Sequence, residues 1–407
     1  MDVIYFLLCI MLIDTDKGGM NLNKTFKKPE VLTLSIAHLI HDIYSSFLAP
    51  LLPLLTAKLG MSLSIIALLD ITRRLPSLLN PFFALLAEHA GIKYFIIFAP
   101  AITAVSMSLL GLSSSVPMLF VLLFIAGISS AMFHVPSPVM IKEVSGDQVG
   151  TGMSFYMVGG ELARTLGPLI ITATVSYLSL EETYKLLPLG VAASVVLFFK
   201  LKNIKVYKTV QKKKEKGDIR KLLKEFWPFL SVLTGFLLFQ SAMKISLTLY
   251  LPVYLTTQGE SLWIAGISLS ILQFSGVFGA FFSGKISDKI GRRNTLLIAS
   301  TGSIITMTLF LITNNIIPLA FLGLFMLSTG PVLLATVQDT NSHMPTFMNS
   351  IYMTINFGVS SVVVFCLGIS GDQLGLEKTY IISTIFALGS IPTAFYITKF
   401  IKLEVET

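Results

Sequence analysis

The sequence predicts an all-α membrane protein, twelve transmembrane helices arranged as two six-helix bundles. Three observations lead there. The first is composition. The 407-residue chain is 54% hydrophobic and only 13% charged, with a mean hydropathy of +0.79, whereas soluble domains carry about 25% charged residues. A soluble domain of this size could not hide that much apolar surface, so its solvent is lipid. The second is twelve apolar runs, each near the roughly 20 residues that cross a bilayer. The third is a one-sided placement of lysine and arginine.

The runs lie at 31–56, 63–87, 93–114, 117–141, 149–178, 184–201, 226–255, 262–283, 294–313, 316–338, 345–370 and 379–400. They are continuous, where barrel strands would alternate over about ten residues, so helices are expected. Ahead of them, "VIYFLLCIMLI" (Val3–Ile13) is too short to span and lacks the basic leader of a signal peptide. We expect translation to start at Met20, with residues 1–19 not native and 1–30 forming a cytoplasmic tail.

An even number of spans puts both termini on one side. With the termini cytoplasmic, 23 of the 30 Lys and Arg fall on that side. Three (Lys58, Lys185, Lys378) fall outside, and four (Arg73, Arg74, Arg164, Lys244) lie within spans. This is the positive-inside pattern of a multi-pass protein of the cell inner membrane. It absorbs the net charge of +8 without a nucleic-acid partner. The largest basic group, in "KNIKVYKTVQKKKEKGDIRKLLKEF" (Lys202–Phe226), separates spans 1–6 from spans 7–12. We read 202–225 as a solvated linker with a short surface helix at Asp218–Phe226. It joins bundles at 31–201 and 226–401, and a tail follows at 402–407. Basic clusters beside a membrane also attract anionic headgroups.

The halves echo each other. "MSFYMVGG" (Met153–Gly160) in span 5 answers "NSIYMTINFG" (Asn349–Gly358) in span 11, and "ALLAEHAGIK" (Ala84–Lys93) after span 2 answers "GKISDKIGRRN" (Gly284–Asn294) after span 8. Parallel repeats of this kind build a transporter with its site at mid-membrane between the halves.

The stretch Gly284-x-x-x-Asp288-Lys289-x-Gly291-Arg292-Arg293 resembles the signature loop of the major facilitator superfamily, between spans 8 and 9. The resemblance implies the major facilitator fold, with Gly284 letting helices approach and Asp288 capping a helix or pairing with basic groups as a latch. The first-half copy is degraded, with Ala84, Glu88 and His89 at the matching places. Beyond that loop, "HLIHDIYSSFLAPLLPLL" (His38–Leu55), "GISSAMFHVPSP" (Gly127–Pro138) and "VGGELARTLGPLI" (Val158–Ile170) resemble spans 1, 4 and 5 of the fosmidomycin-resistance-type subfamily. That resemblance implies drug or solute efflux driven by proton entry.

Charged groups inside spans are costly and mark transport or proton pathways by default. In span 1, Asp42 lies about eleven residues in, roughly 16 Å at 1.5 Å per residue, hence near mid-membrane. His38, His41, Asp42 and Ser45 share one helix face. Burial disfavours the charged form of a carboxyl, which suits a proton carrier, and a neighbouring histidine can relay the proton. The blander reading is a set of polar side chains holding helices together. In span 5, Glu161 and Arg164 are spaced to pair. Glu161 is a second proton-coupling candidate, and its protonation would free Arg164 for an anionic substrate group. The alternative is a static pair. Leu166–Pro168 kinks this helix, and Gly159, Gly160 and Gly167 permit close packing.

In span 2, Asp70 can pair with Arg73 or Arg74, and at least one arginine is expected to face the cavity. Lys244 sits toward the outer end of span 7, with Gln240 one turn earlier. Arg73, Arg74, Arg164, Lys244, Gln240, Tyr156 and Asn356 are the substrate-binding candidates, and Tyr44, Phe155, Gln273 and Tyr352 help shape the pocket. Glu88, His134 and Asp339, near cytoplasmic span ends, join the signature-loop residues as gate or latch candidates.

No Walker-type loop offers ATP as the energy source, and no nucleophilic constellation suggests an enzyme. Cys9 and Cys366 form no disulfide framework or zinc spacing. His38, His41 and Asp42 are not expected to hold a metal, and no cofactor is expected. The function expected is therefore a monomeric secondary transporter, exporting a small organic molecule or drug in exchange for protons, with the mid-depth cations favouring an anionic group on it. An uptake symporter or facilitative exchanger is the second reading. A ligand sensor on a transporter scaffold is the third, from another class.

Overall fold

In the computed structural model the described residues are 26–80, 83, 92–202, 219–340, 342, 345–397 and 399. The Val3–Ile13 stretch, Met20, Glu88, His89 and linker residues 203–218 lie outside them. A backbone in hydrocarbon must satisfy its own polar groups, which a helix does within the segment. Every regular element among the described residues is helical. In chain order they are α1 (Lys28–Leu59), α2 (Leu63–Arg74), α3 (Lys93–Leu112), α4 (Val116–Val144), α5 (Val149–Tyr177) and α6 (Glu181–Leu201). The second half has α7 (Ile219–Leu249, running on through Leu251–Thr257), α8 (Leu262–Ile290), α9 (Arg292–Thr313), α10 (Ile316–Gln338), α11 (Pro345–Leu374) and α12 (Leu376–Tyr396). Among the described residues, ten helices are long and apolar enough to cross a membrane. The other two, α2 and α5, stand where spans 2 and 5 are expected. α2 tightens into a 3-10 turn at Leu75–Leu79, and α5 carries Glu161 and Arg164.

The packing repeats with a period of six helices. α1 lies on α5 and α7 on α11; α2 on α4 and α8 on α10; α3 on α6 and α9 on α12. Between the two bundles, α5 crosses α8 and α2 crosses α11. Side chains such as Leu189, Phe199, Trp227, Phe281 and Ile312 stay exposed on the outside, where a lipid solvent accepts them.

Two helices break beside charged residues. Pro50 has no N–H for the Ser46 carbonyl, and α1 turns at Ser46–Phe47 before resuming. Pro138 stands in the same relation to His134, and α4 turns at Val135–Pro136. The α1–α5 contact depends on glycine. A Cβ at Gly159 would sit 2.3 Å from the Ser35 carbonyl oxygen, at Gly160 2.4 Å from the His38 ring, and at Gly167 2.7 Å from the Ile43 carbonyl oxygen.

Two expectations need correction. The surface helix at Asp218–Phe226 is not separate: from Ile219 onward it is the opening of α7, with Leu222 fully buried. Gly284 is not a point of close approach, since a Cβ there would meet nothing within 4 Å. The tight contacts are earlier on α8, at Gly276 against Leu327 and Gly279 against the Leu324 backbone.

Candidate functional site

Asp42 is 5% exposed and stands at the wall of a cavity of about 410 Å³ between the bundles. Three imidazoles converge on its carboxylate. His41 Nδ1 is 2.9 Å from Oδ1, His134 Nε2 3.1 Å from Oδ1, and His38 Nε2 3.3 Å from Oδ2. The two rings from α1 are fixed from behind. His38 is stacked on Tyr156 at 4.0 Å, and its Nδ1 lies 2.7 Å from the Tyr156 carbonyl oxygen. His41 is stacked on Phe133 at 4.5 Å, and its Nε2 lies 3.0 Å from Thr103 Oγ1. One ring nitrogen each of His38 and His134 and a carboxylate oxygen of Asp42 all lie within 4.8 Å of one another.

The structure thus brings His38, His41 and Asp42 together. His134 moves from the expected gate to this cluster. α4 continues past Pro136 to Val144, so His134 is ten residues short of the helix end, about 15 Å at 1.5 Å per residue. With its side chain 39% exposed, it is the cluster member most open to the cavity. Tyr156 does not line the cavity. It is 3% exposed and lies behind His38, because the close glycines of α5 press it onto α1.

The same cavity carries four cations. Arg73, Arg74, Arg164 and Lys244 all line it, together with Asp70. Asp70 is 1% exposed and pairs with both arginines of α2, at 2.9 Å from Arg73 Nη2 and 2.8 Å from Arg74 Nε. The second contact is close enough for ionic attraction but too poorly angled for a hydrogen bond. Glu161 and Arg164 pair at 2.9 Å along α5, with the Arg164 side chain 52% exposed. Lys244 has no ion-pair partner among the described residues. Gln240, one turn away, is buried with neither amide atom hydrogen-bonded, and it is not among the cavity's lining residues. Asn356 lines a second cavity of about 620 Å³ between α2 and α11, which Arg74 shares.

This second cavity lies along the α2–α11 seam, toward the end of α2 and the start of α11. At the other end Asp372 of α11 accepts from Leu63 N (2.6 Å), Ser64 N (3.0 Å) and Ser64 Oγ (2.5 Å) at the start of α2. Tyr250 Oη donates to the Leu63 carbonyl at 3.1 Å, and Gly368 lets the helices close, a Cβ there being 2.9 Å from Leu63 O.

The signature-loop residues act within the second bundle. Arg292 contacts Asp288 and also reaches Asp339 at 2.9 Å, tying the α8–α9 turn to the end of α10. Gly291 has φ +88°, a conformation that suits only glycine at this turn. Arg293 lies over the Phe395 ring at 3.5 Å, and Lys289 is exposed.

Sequence reasoning missed Thr103, Ser129 and Asp372. Thr103 and Ser129 are hydroxyls in apolar spans, a faint signal because such residues often bond only their own helix. Asp372, a lone carboxylate at a span end, was the plainer one.

The sequence profile of the Major Facilitator Superfamily matches residues 34–365. The chain is similar to the fosmidomycin resistance protein of Escherichia coli (strain K12), at 23% identity over 89% of this chain and 91% of that one. It is also similar to the multi-drug resistance efflux pump PmrA of Streptococcus pneumoniae serotype 4, at 24% identity over 81% and 84%. Among solved structures, a bacterial homolog of the human lysosomal transporter Spinster, inward-facing and unoccupied, superposes with a TM-score of 0.77 at 14% identity, over 93% of this chain and 98% of that one. A D-xylose-proton symporter gives 0.73 at 14% identity over the same shares. With a family match across most of its length and a repeat-built helical fold shared with solved transporters, this chain belongs to the major facilitator superfamily of membrane transporters.

Proposed function

We propose that this transporter couples proton movement to the passage of a small organic anion by alternating access, and that it works as an exporter exchanging its cargo for protons. One observation carries the coupling: a buried carboxylate ringed by three imidazoles shares a cavity between the bundles with four cationic side chains. Asp42 and its histidines take up the proton. His134, open to the cavity, passes it in. Arg164 and Lys244 hold the anionic group, with Arg73 and Arg74 fixed beside them by Asp70. Glu161 competes with the cargo for Arg164, so its protonation releases that arginine. With the termini cytoplasmic, the end closed by Asp372 is the outer one, and the cavity faces inward. Export by exchange draws on the efflux relatives.

A specific feature favours the second reading, proton-coupled uptake. Each proton added to the cavity makes it more positive, so protonation and anion binding assist each other. That cooperation suits symport. Both readings are tested in proteoliposomes with a panel of small carboxylates, phosphonates and anionic antibiotics under an imposed proton gradient. Export requires cargo to move against the proton flow, and uptake requires it to move with the flow. Flux unchanged when the gradient is collapsed removes proton coupling altogether. Uphill transport retained by Asp42→Asn or Glu161→Gln removes that residue as a carrier.

A further inference from the structure

Among the histidines around Asp42, His41 has its hydrogen assigned by partners that leave no choice. Ser129 Oγ is 2.8 Å from the Ala99 carbonyl oxygen, which can only accept, so the Ser129 hydrogen is committed there. Thr103 Oγ1, 2.7 Å from Ser129 Oγ, must then donate to it. That leaves Thr103 with only a lone pair for His41 Nε2, so the N–H of neutral His41 sits on Nε2. The other nitrogen, Nδ1, faces Asp42 Oδ1 at 2.9 Å with a lone pair of its own. Two lone pairs at that distance repel. The contact becomes a hydrogen bond only when a proton is added, to the ring or to the carboxylate.

We infer that Thr103 and Ser129 are positioning residues which, by fixing the hydrogen of His41 away from Asp42, make the Asp42 cluster bind its proton more tightly. This rests on the proton-coupling reading above. The groups facing the pair are His38 from α1, Thr103 from α3, Ser129 and His134 from α4, and Tyr156 from α5. The charges across the cavity are Asp70, Arg73, Arg74, Arg164, Glu161 and Lys244, and the substitutions below alter none of them.

The test is an infrared titration of the Asp42 carboxyl band in reconstituted full-length protein, assigned by its loss in Asp42→Asn, with ¹⁵N spectra reporting which nitrogen of His41 carries the hydrogen. In Thr103→Val, Nε2 loses its acceptor and the ring hydrogen moves to Nδ1, where it donates to the carboxylate. In Ser129→Ala, the Thr103 hydroxyl is released to donate to Nε2, with the same consequence while the Thr103 hydroxyl is retained. One buried hydrogen bond gained by the deprotonated form corresponds to about tenfold weaker proton binding. Both variants are therefore expected to titrate about one pH unit lower, with the hydrogen on Nδ1. Thr103→Ser keeps the wild-type curve, and in a His41→Asn background Thr103→Val adds nothing. Variant curves that overlay a titrating wild type, or a hydrogen still on Nε2 in both variants, overturn the inference alone. A wild-type band that does not titrate between about pH 5 and 9 overturns the proton-coupling reading beneath it.

Discussion

Replacing Asp372 with alanine should open the transporter at the end where α2 and α11 meet. The carboxylate accepts from two backbone N–H groups at the start of α2, at 2.6 and 3.0 Å, and from the Ser64 hydroxyl. Its side chain ties α11 to α2 across this seam, set at a helix N-terminus whose dipole favours negative charge. A charge-assisted bond to a buried group is worth about 1.5–3 kcal/mol. Asp372 is exposed and water replaces it in part, so about 1 kcal/mol for each backbone bond is the fitting figure. The sum, about 2 kcal/mol, is roughly a 30-fold change in the equilibrium between closed and open at this end. A conformer at about 1% would rise to about a quarter. Spin labels at Tyr177 and Glu260, exposed at the ends of α5 and α7, with Cys9 and Cys366 replaced, report the separation by double electron–electron resonance. The parent should give one short distance, and Asp372→Ala should add a longer one. A distribution unchanged by the substitution would refute the latch and with it the assignment of this end as the closed gate.

Three further outcomes follow. Gly160→Ala places a Cβ 2.4 Å from the His38 ring and should cost about 1–3 kcal/mol by overpacking, read as a lower unfolding temperature in detergent, while Gly150→Ala, where a Cβ meets nothing, should leave it unchanged. Lys244→Gln removes a cation with no ion-pair partner among the described residues, so it should weaken binding of anionic probes tenfold or more without loss of stability. Arg73→Gln, by contrast, takes one of two partners from the 1%-exposed Asp70. It should lower stability by about 1–3 kcal/mol, seen as a lower midpoint in thermal unfolding.

The helical class, the repeat and the cluster on α1 were legible because each has a local signature: apolar length, echoed segments, and two histidines within one turn of an aspartate. His134 was misplaced because depth was counted from the apparent end of a span, and α4 runs on past its prolines. Tyr156 was assigned to the pocket because an aromatic in a span carries no sign of which way it faces; only the approach of α5 to α1, set by Gly159 and Gly160, turns it behind His38. Thr103 and Ser129 lie 62 and 88 residues from His41 in sequence, and their role arises only when α3, α4 and α1 pack together. Gly284 shows the converse. Its place in a motif suggested packing, whereas the close contacts are at Gly276 and Gly279.

The prolines near the cluster connect the local sequence to its chemistry. Pro50 and Pro138 each break a helix where it carries a member of the cluster: α1 turns four residues after Asp42, and α4 turns directly after His134. A missing N–H frees the carbonyl four residues earlier, so the Ser46 and His134 carbonyls both lose a helical partner. The two helices that meet at the carboxylate are therefore the ones least held to a straight course there. On the proposed proton coupling, alternating access requires a proton site that is reached from one side at a time, and a straight helix pair would fix His134 relative to Asp42 in both states. If the break in α4 lets His134 leave Asp42 as the bundles rock, Pro138→Ala should restore the bond to the His134 carbonyl and hold the ring in place. Proton release would then slow while proton binding at equilibrium is retained. Rapid-mixing infrared measurements of the Asp42 band separate the two, and an unchanged release rate would show that the break serves packing alone.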